Sequence, residues 1–461
     1  MSLAPVQHTA DGLESLRSGV TGSVFAPGDP ELPYEIAGFN PAVVHRPLAV
    51  VAVTGSRDVQ NAVQWAAERG VPIDVRSTGH GAGASEGSLI ISTRRMHRVT
   101  VDAQRRVARV EAGARWREVV DAAAAHGLAP LCGSSSGVGV VGYTLGGGVG
   151  LLGREYGFAA DHVLAIGLVT PDGRLRHVTA DSEPELFWAA RGGQGNFGVV
   201  TALDIRLFPV KTLYAGGLYF PASAASRVLH AYRTWAPTLP EPASSSVALQ
   251  LRLPPLEAVP AHLRGQSLLH LRFSHHGPAR EGEALLAPMR AVAEPIMGQV
   301  GEIPFQAVDT VHQDSKDPIP SWHQGAQLHS LDADTVDTLL DAAAPEADLP
   351  PLIVELRQLG GALARPAAPP NAVAGRDGAY SVHVVGPMFP GLEKTVPALG
   401  TGVLNALKPW STGTALLTFL GETTPEELAA NWTPAAGARL REVKRTVDPR
   451  NLFRFGHALG V

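Results

Sequence analysis

From about residue 43 the chain alternates short β-branched runs with stretches whose apolar positions recur at helical spacing, the pattern of a layered α/β region. VVAVT at 50–54 reads as a buried strand, followed by a helix with Ser56 as N-cap. Val59, Ala62, Val63 and Ala66 of that helix share one face, and Gly70 supplies the stop. VPIDVR at 71–76 is the next strand, RSTGHGAGASEG at 76–87 a loop and LIIST at 89–93 a strand. VTVD at 99–102 then pairs with VARVEAG at 107–113 across a turn at 103–106, so that the sheet is expected to run on without a break. A helix over 115–126 turns Trp116, Val119, Val120 and Ala123 inward and leads into the glycine-dense stretch LCGSSSGVGVVGYTLGGGVGLLG at 131–153. Past it, HVLAIGLVT and RLRHVT pair over Pro171-Asp172-Gly173, Ser182 with Glu185 predicts a capping box for a helix ending at Gly192, and GVVTALDIRLFP at 198–209 is a strand.

After residue 212 the text changes. Strand candidates AGGLYF, VALQLRL, SLLHLRF, PLIVELRQL and AYSVHVVG alternate with Ala-rich helical segments and Pro-rich connections, which predicts an antiparallel sheet carrying helices on one face. The end of the chain is helical through LREVKRTV and is stopped by Asp448-Pro449. The fold class expected is therefore α+β, and the chain is divided into 1–211 (core 43–211), 212–415, and a segment 416–461 that returns to the first unit.

Composition narrows the function. With 461 residues, 45% hydrophobic and 18% charged, the chain has the makings of a compact multi-domain protein rather than a disordered one. The net charge of −5 is spread without a basic stripe, so nucleic acid is not an expected partner. The opening residues lack a secretory pattern and no run of about 18 apolar residues occurs, so no membrane association and a cytoplasmic location are expected. The single cysteine, Cys132, excludes an intrachain disulfide and a Cys-cluster metal site. His270, His275 and His276 lie near one strand end without a further ligand at metal spacing, and no metal is expected.

The chemistry centres on two glycine loops, 76–84 and 138–150. A dinucleotide fingerprint of the Gly-x-Gly type needs a strand running straight into a helix, whereas here another strand follows, and no Gly-Lys-Ser/Thr is present. Successive glycine amides make a nest for a diphosphate; the same glycines also serve tight turns and sheet packing. His80 lies between Gly79 and Gly81, open to a ligand or to solvent.

VRSTGHGAG at 75–83, VGVVGYTLGGGVGLLGREYGFAADHV at 138–163, ELFWAARGGQGNFGVVT at 185–201 and RLREVKRTVDPRNLFRFG at 439–456 resemble the FAD-linked oxidoreductases of the berberine bridge enzyme-like group, within the vanillyl-alcohol oxidase superfamily. The resemblance implies a PCMH-type FAD-binding domain of two α/β subdomains plus a substrate domain. It implies that Arg76, Ser77, Thr78, Gly79, Gly81 and Ala82 wrap the diphosphate, with His80 bonded to the flavin 8α-methyl. Val138, Gly139, Gly142 and Thr144 belong to the second motif, and Gly146, Gly147 and Gly148 are expected beside the ring, where their amides would stabilise negative charge. Gly195, Asn196, Gly198 and Val200 match the adenosine and diphosphate side, and Asn451 is either a flavin-edge residue or a turn residue. Many relatives carry a second, cysteinyl link, but Ser135 stands in that place and Cys132 lies three residues upstream, so a single link through His80 is expected. A valine where Val138 stands is associated with access of dioxygen.

The implied reaction is hydride transfer from a hydroxyl-bearing carbon of a small molecule, such as a sugar, an alcohol or a secondary metabolite, to covalent FAD, with dioxygen as acceptor and hydrogen peroxide released. A dehydrogenase or oxidative cyclase on the same site, and a flavin-binding protein without turnover, are the alternatives. Alcohol oxidation needs a base within reach of the O–H. Tyr380, then Tyr143, then Glu355 are the candidates, Glu355 and Arg357 sharing one face of their strand opposite Val354 and Leu356.

Overall fold

The computed structural model describes residues 10–81, 83–257, 259–344 and 350–460, which form three sheets. The first has the order Ser23–Phe25, Ala49–Ala52, Leu89–Ser92, Ile73–Arg76; its last three strands are parallel, and Ala49–Ala52 and residues 89–91 are buried apolar runs. The helix Ser56–Arg69 lays Val59, Ala62, Val63 and Ala66 against it and ends at Gly70, whose φ of 64° closes the C-terminus. Gly55, not Ser56, occupies the N-cap, and Asp58 takes over the capping work by accepting from the amides of Thr54, Thr21 and Gly22.

The sheet does not run on into the hairpin. Val99–Asp102 and Val107–Glu111 open a second, five-stranded antiparallel sheet with Val199–Arg206, Val163–Val169 and Leu175–Val178. The reason is visible at residues 93–96, where Thr93 donates to the Arg76 carbonyl and the chain leaves the first sheet through a turn. Trp116–Ala124 buries Trp116, Val119, Val120 and Ala123. The capping box at Ser182 and Glu185 does not form: Glu183 caps Pro184–Ala190 in a left-handed conformation, the Ser182 hydroxyl donates to the His177 carbonyl, and Glu185 is drawn off by Arg439 at 2.6 Å.

The third sheet is seven-stranded and antiparallel, in the order Met297–Pro304, Thr212–Pro221, Leu268–His275, Ala243–Leu251, Leu352–Gln358, Tyr380–Pro387, Ser321–Leu328. Its two edge strands carry no apolar alternation and were not legible as strands: MGQVGEIP holds two glycines, and SWHQGAQL is largely polar and half-buried. One face packs Val247, Leu249, Leu271, Val354, Leu356, Val382 and Val384 against helices that include Ala225–Trp235 and Ala333–Ala343. The other face is polar and looks toward the first two sheets.

The chain end closes the assembly. Helix Pro434–Val447 is capped by Asp448, and Lys444, fully buried, donates to Asp448, to the Asn196 carbonyl and to the Phe453 carbonyl, each within 2.8 Å. The Ile73 amide donates to the Leu452 carbonyl, so the tail is stitched to the first sheet.

Candidate active site

A cavity of about 660 Å³ lies where the three sheets meet. Its first wall is the loop that leaves strand Ile73–Arg76. Arg76 is buried, and its guanidinium is held by Asp74 at 3.0 Å and by the Gly83 carbonyl at 2.8 Å, so the loop begins from a fixed point. The Thr78 carbonyl accepts from the Phe39 amide at 3.0 Å, and Gly79 passes within a φ of 68° against the Gly38 backbone. His80 is thereby turned into the cavity. Its ring stacks on Phe39 at 4.0 Å and 12°, and Nδ1 lies 2.8 Å from the Thr78 hydroxyl. Burial, helped by the Arg115 charge, pushes its pKa down to about 4, so the imidazole is neutral near neutral pH. Arg76, Ser77, Thr78, Gly79 and Gly81 all line the cavity; Ala82 lies outside the described residues.

The second wall comes from the glycine-dense stretch, which folds as a short helix, Val140–Leu145, entered from Val138. Val138, Gly139, Gly142 and Tyr143 line the cavity, as do Gly195, Asn196, Gly198 and Val200. Asn196 is fixed by donating to the Gly193 and His457 carbonyls and accepting from the Leu459 amide. Asp309 secures the preceding loop: it accepts from the Ser136 amide and hydroxyl, both at 2.7 Å, and pairs with Arg117.

Several expectations are corrected. Thr144 is fully buried and does not line the cavity. The run Gly146, Gly147 and Gly148 does not line it either. The Gly146 and Gly147 amides are spent on the Gly142 and Thr144 carbonyls, and Gly147 and Gly148 take φ values of 107° and 76° to turn the chain tightly around the Phe158 and Tyr143 rings. Their glycine requirement is one of packing, not of charge stabilisation. Asn451 is a turn residue with φ of 50°, its amide donating to the Asp448 carbonyl. The tail instead reaches the cavity through Phe453, Phe455, Gly456 and His457, which sequence reasoning passed over although they follow directly in the same motif.

The third wall is the polar face of the seven-stranded sheet. Strand alternation sends Tyr380 to the opposite face, among Tyr232, Val382 and Val384 beneath the helices, so it is not at the site. The same alternation delivers His383, Glu355 and Arg357 to the cavity. Glu355 lies 3.1 Å from Arg357 and 3.1 Å from Arg272, with His312 at 3.6 Å. Burial alone would raise its pKa, but the charges of Arg357 and Arg272 outweigh that and hold it well below the usual carboxylate range. Tyr143 faces this cluster from the second wall; burial pushes its phenol well above 10, and its hydroxyl has no partner. Arg272, His312 and His323 were not singled out, because their convergence depends on strand register and on the short helix Asp309–His312. Ser135 lines the cavity, whereas Cys132 is buried beside it among apolar side chains, with its thiol pushed up to about 12 by burial. Among the described residues no group of three or more His, Cys, Asp or Glu could hold a metal ion, and no helix is long and apolar enough to cross a membrane.

Comparison with known proteins agrees with this geometry. Residues 47–179 match the model of an FAD binding domain, and residues 437–460 that of berberine and berberine-like proteins. The FAD-linked oxidoreductase YvdP of Bacillus subtilis is 28% identical over 459 residues, 95% of this chain and 98% of the relative. The (R)-6-hydroxynicotine oxidase of Paenarthrobacter nicotinovorans is 27% identical over 440 residues, covering 90% and 91%. Among solved structures, the BBE-like 1 protein of Physcomitrella patens superposes with a TM-score of 0.86 at 19% identity, covering 97% of this chain and 99% of that one. Fold and cavity together define an FAD-dependent oxidoreductase. Over most of its length the chain is similar to FAD-linked oxidoreductases, and its two matched segments resemble those of the berberine bridge enzyme-like group.

The residues present fit the cofactor. A Cβ built on Gly81, Gly142 or Gly195 would meet no protein atom within 4 Å, so these cavity-lining positions leave open space in front of bare backbone.

Proposed function

We propose that this protein holds FAD covalently through His80 and oxidises a hydroxyl-bearing carbon of a small molecule, with dioxygen as electron acceptor. The observation that carries the proposal is His80 itself: a neutral imidazole, clamped by Phe39 and Thr78, at the mouth of a cavity lined on two sides by glycine backbone. A neutral ring nitrogen is the form able to make the bond. When bound, FAD supplies the hydride acceptor and returns its electrons to dioxygen, releasing hydrogen peroxide. Ser77, Thr78, Gly79 and Gly81 of the first loop, with Gly139 and Gly195 opposite, are the groups in place for the diphosphate and adenosine. Val138 lines the cavity and is the basis for preferring dioxygen to another acceptor. Cys132 faces the core, which supports one covalent link rather than two.

On the sheet wall, Glu355 stays ionised and accepts the hydrogen bond of the substrate hydroxyl, while Tyr143 stays protonated and donates to the same oxygen. That leaves Glu355 and Tyr143 as the two groups positioned to orient the O–H for reaction.

Intact-mass spectrometry tests the anchor. The wild-type chain is expected to carry one FAD that His80→Ala lacks; noncovalent FAD in both would remove His80 from that role. Anaerobic bleaching across a panel of alcohols, followed by peroxide measurement in air, tests the rest. Bleaching that is reversed only by an added quinone would make the protein a dehydrogenase.

A further inference from the structure

The sheet wall of the cavity holds two buried cations against one buried carboxylate, with unpartnered polar atoms beside them. Arg272 and Arg357 are both buried, and Glu355 is the carboxylate between them, 3.1 Å from each. Two guanidiniums against one buried carboxylate leave a surplus of positive charge in a desolvated place; Arg357 offsets part of it on the Val149 carbonyl and the Phe419 ring, whereas Arg272 meets Glu355 and the neutral His270. Asp314 also attracts Arg357, but it is exposed, so solvent screens that attraction and the buried groups keep a surplus of positive charge. The neighbouring groups add polar atoms without partners. His312, 4% exposed, lies with Nε2 3.3 Å from the Arg357 guanidinium and 3.6 Å from Glu355, and its Nδ1 has no partner. The Tyr143 hydroxyl, also on this wall, has none. His270 receives the Arg272 Nε–H at 3.0 Å and so cannot relieve the cation, while His323 and His383 are held neutral by burial.

The outer part of the same cavity is different in kind. Leu251, Leu253, Pro254, Leu256, Ile319 and Ile353 line it and offer a continuous run of apolar side chains to a hydrocarbon body, with Gln250, Gln313 and Ser315 among them as the polar exceptions.

We propose that the substrate is an apolar hydroxy acid: its single carboxylate docks against Arg272 and Arg357, and its hydrocarbon body lies along the leucine-rich wall. This rests on the flavin reading above and names the substrate class for that site. Arg272 and Arg357 then act as specificity-determining residues, and Glu355 limits the affinity by offering the incoming anion a like charge.

The test uses holoprotein whose flavin content has first been established by intact mass. Naphthoate, its neutral isostere naphthamide, and xylobiose are titrated by calorimetry and by perturbation of the flavin spectrum. Naphthoate is expected to bind at least about tenfold tighter than naphthamide, with xylobiose weaker than both. Arg272→Gln should weaken naphthoate by about tenfold or more while leaving naphthamide nearly unchanged. Glu355→Gln moves the effect in the opposite direction, tightening naphthoate by about fivefold or more, so that a folding defect in one variant cannot imitate the result. Equal binding of acid and amide, tighter binding of xylobiose, or no gain in Glu355→Gln overturns the inference while leaving the flavin reading standing. A chain without flavin overturns both.

Discussion

His80 shows how much of a side chain's character is set by its immediate neighbours. Two residues along, Thr78 offers a hydroxyl at 2.8 Å, and across the loop Phe39 supplies a stacking surface, so a side chain with glycine on both sides is nevertheless held in one orientation. Gly79 makes this possible. At φ of 68° its Cβ would sit 2.7 Å from the Gly38 Cα, so Gly79→Ala is expected to cost about 1–3 kcal/mol and to lower the fraction of chains carrying FAD, measured by intact mass and thermal unfolding. Tyr380 makes the opposite point. Its side chain lies in the core under the helices, so Tyr380→Phe should leave flavin reduction rates within about twofold of wild type, whereas Tyr143→Phe should slow them by about tenfold or more in stopped-flow measurements. Equal effects of the two would return Tyr380 to the site.

At the scale of elements, the terminal helix Pro434–Val447 is joined to the flavin side by one buried ammonium. Lys444 has a fully buried side chain and satisfies Asp448 and two carbonyls, one of them that of cavity-lining Asn196. Removing one partner of a buried pair strands the other, so Lys444→Met should cost about 3–5 kcal/mol in denaturant unfolding and loosen flavin binding with it. An unchanged midpoint would mean that Asp448 finds another donor. Asp309 does comparable work from the opposite direction: its helix brings His312 to Glu355, and its carboxylate holds the Ser136 loop, so the substrate sheet and the flavin loop share one support.

For the whole molecule, the meeting of three sheets buries several imidazoles, which makes stability depend on pH. Burial holds His45 at about 4, with the Arg76 charge adding to it, and His383 at about 3, with His323 adding, against 6.5 in an exposed chain. The unfolded chain therefore binds protons that the folded one refuses between about pH 6.5 and 4. Stability from these groups is complete above 6.5 and is lost as pH falls through that window, so the melting temperature should drop by several degrees between about pH 7 and 5, ahead of carboxylate protonation. A flat profile would show that these rings are protonated in the fold. The local text was sufficient for the helix faces of Ser56–Arg69 and Trp116–Ala124, the Gly70 stop, five of the sheet strands named for the third unit, and the first glycine loop with His80, because each is specified by periodicity or by a backbone requirement within a few residues. Patterning also separated the two faces of Leu352–Gln358 and Tyr380–Pro387 and turned the polar one away from the helices, yet it did not exclude Tyr380, which lies on the helix side. The side taken by Tyr380, the edge strands Met297–Pro304 and Ser321–Leu328, the turning of Gly146–148 away from the site, and the gathering of Arg272, His312, Glu355 and Arg357 were decided by tertiary structure. They rest on strand register and on contacts between residues up to hundreds of positions apart, where burial of one face against a distant partner outweighs any preference written locally.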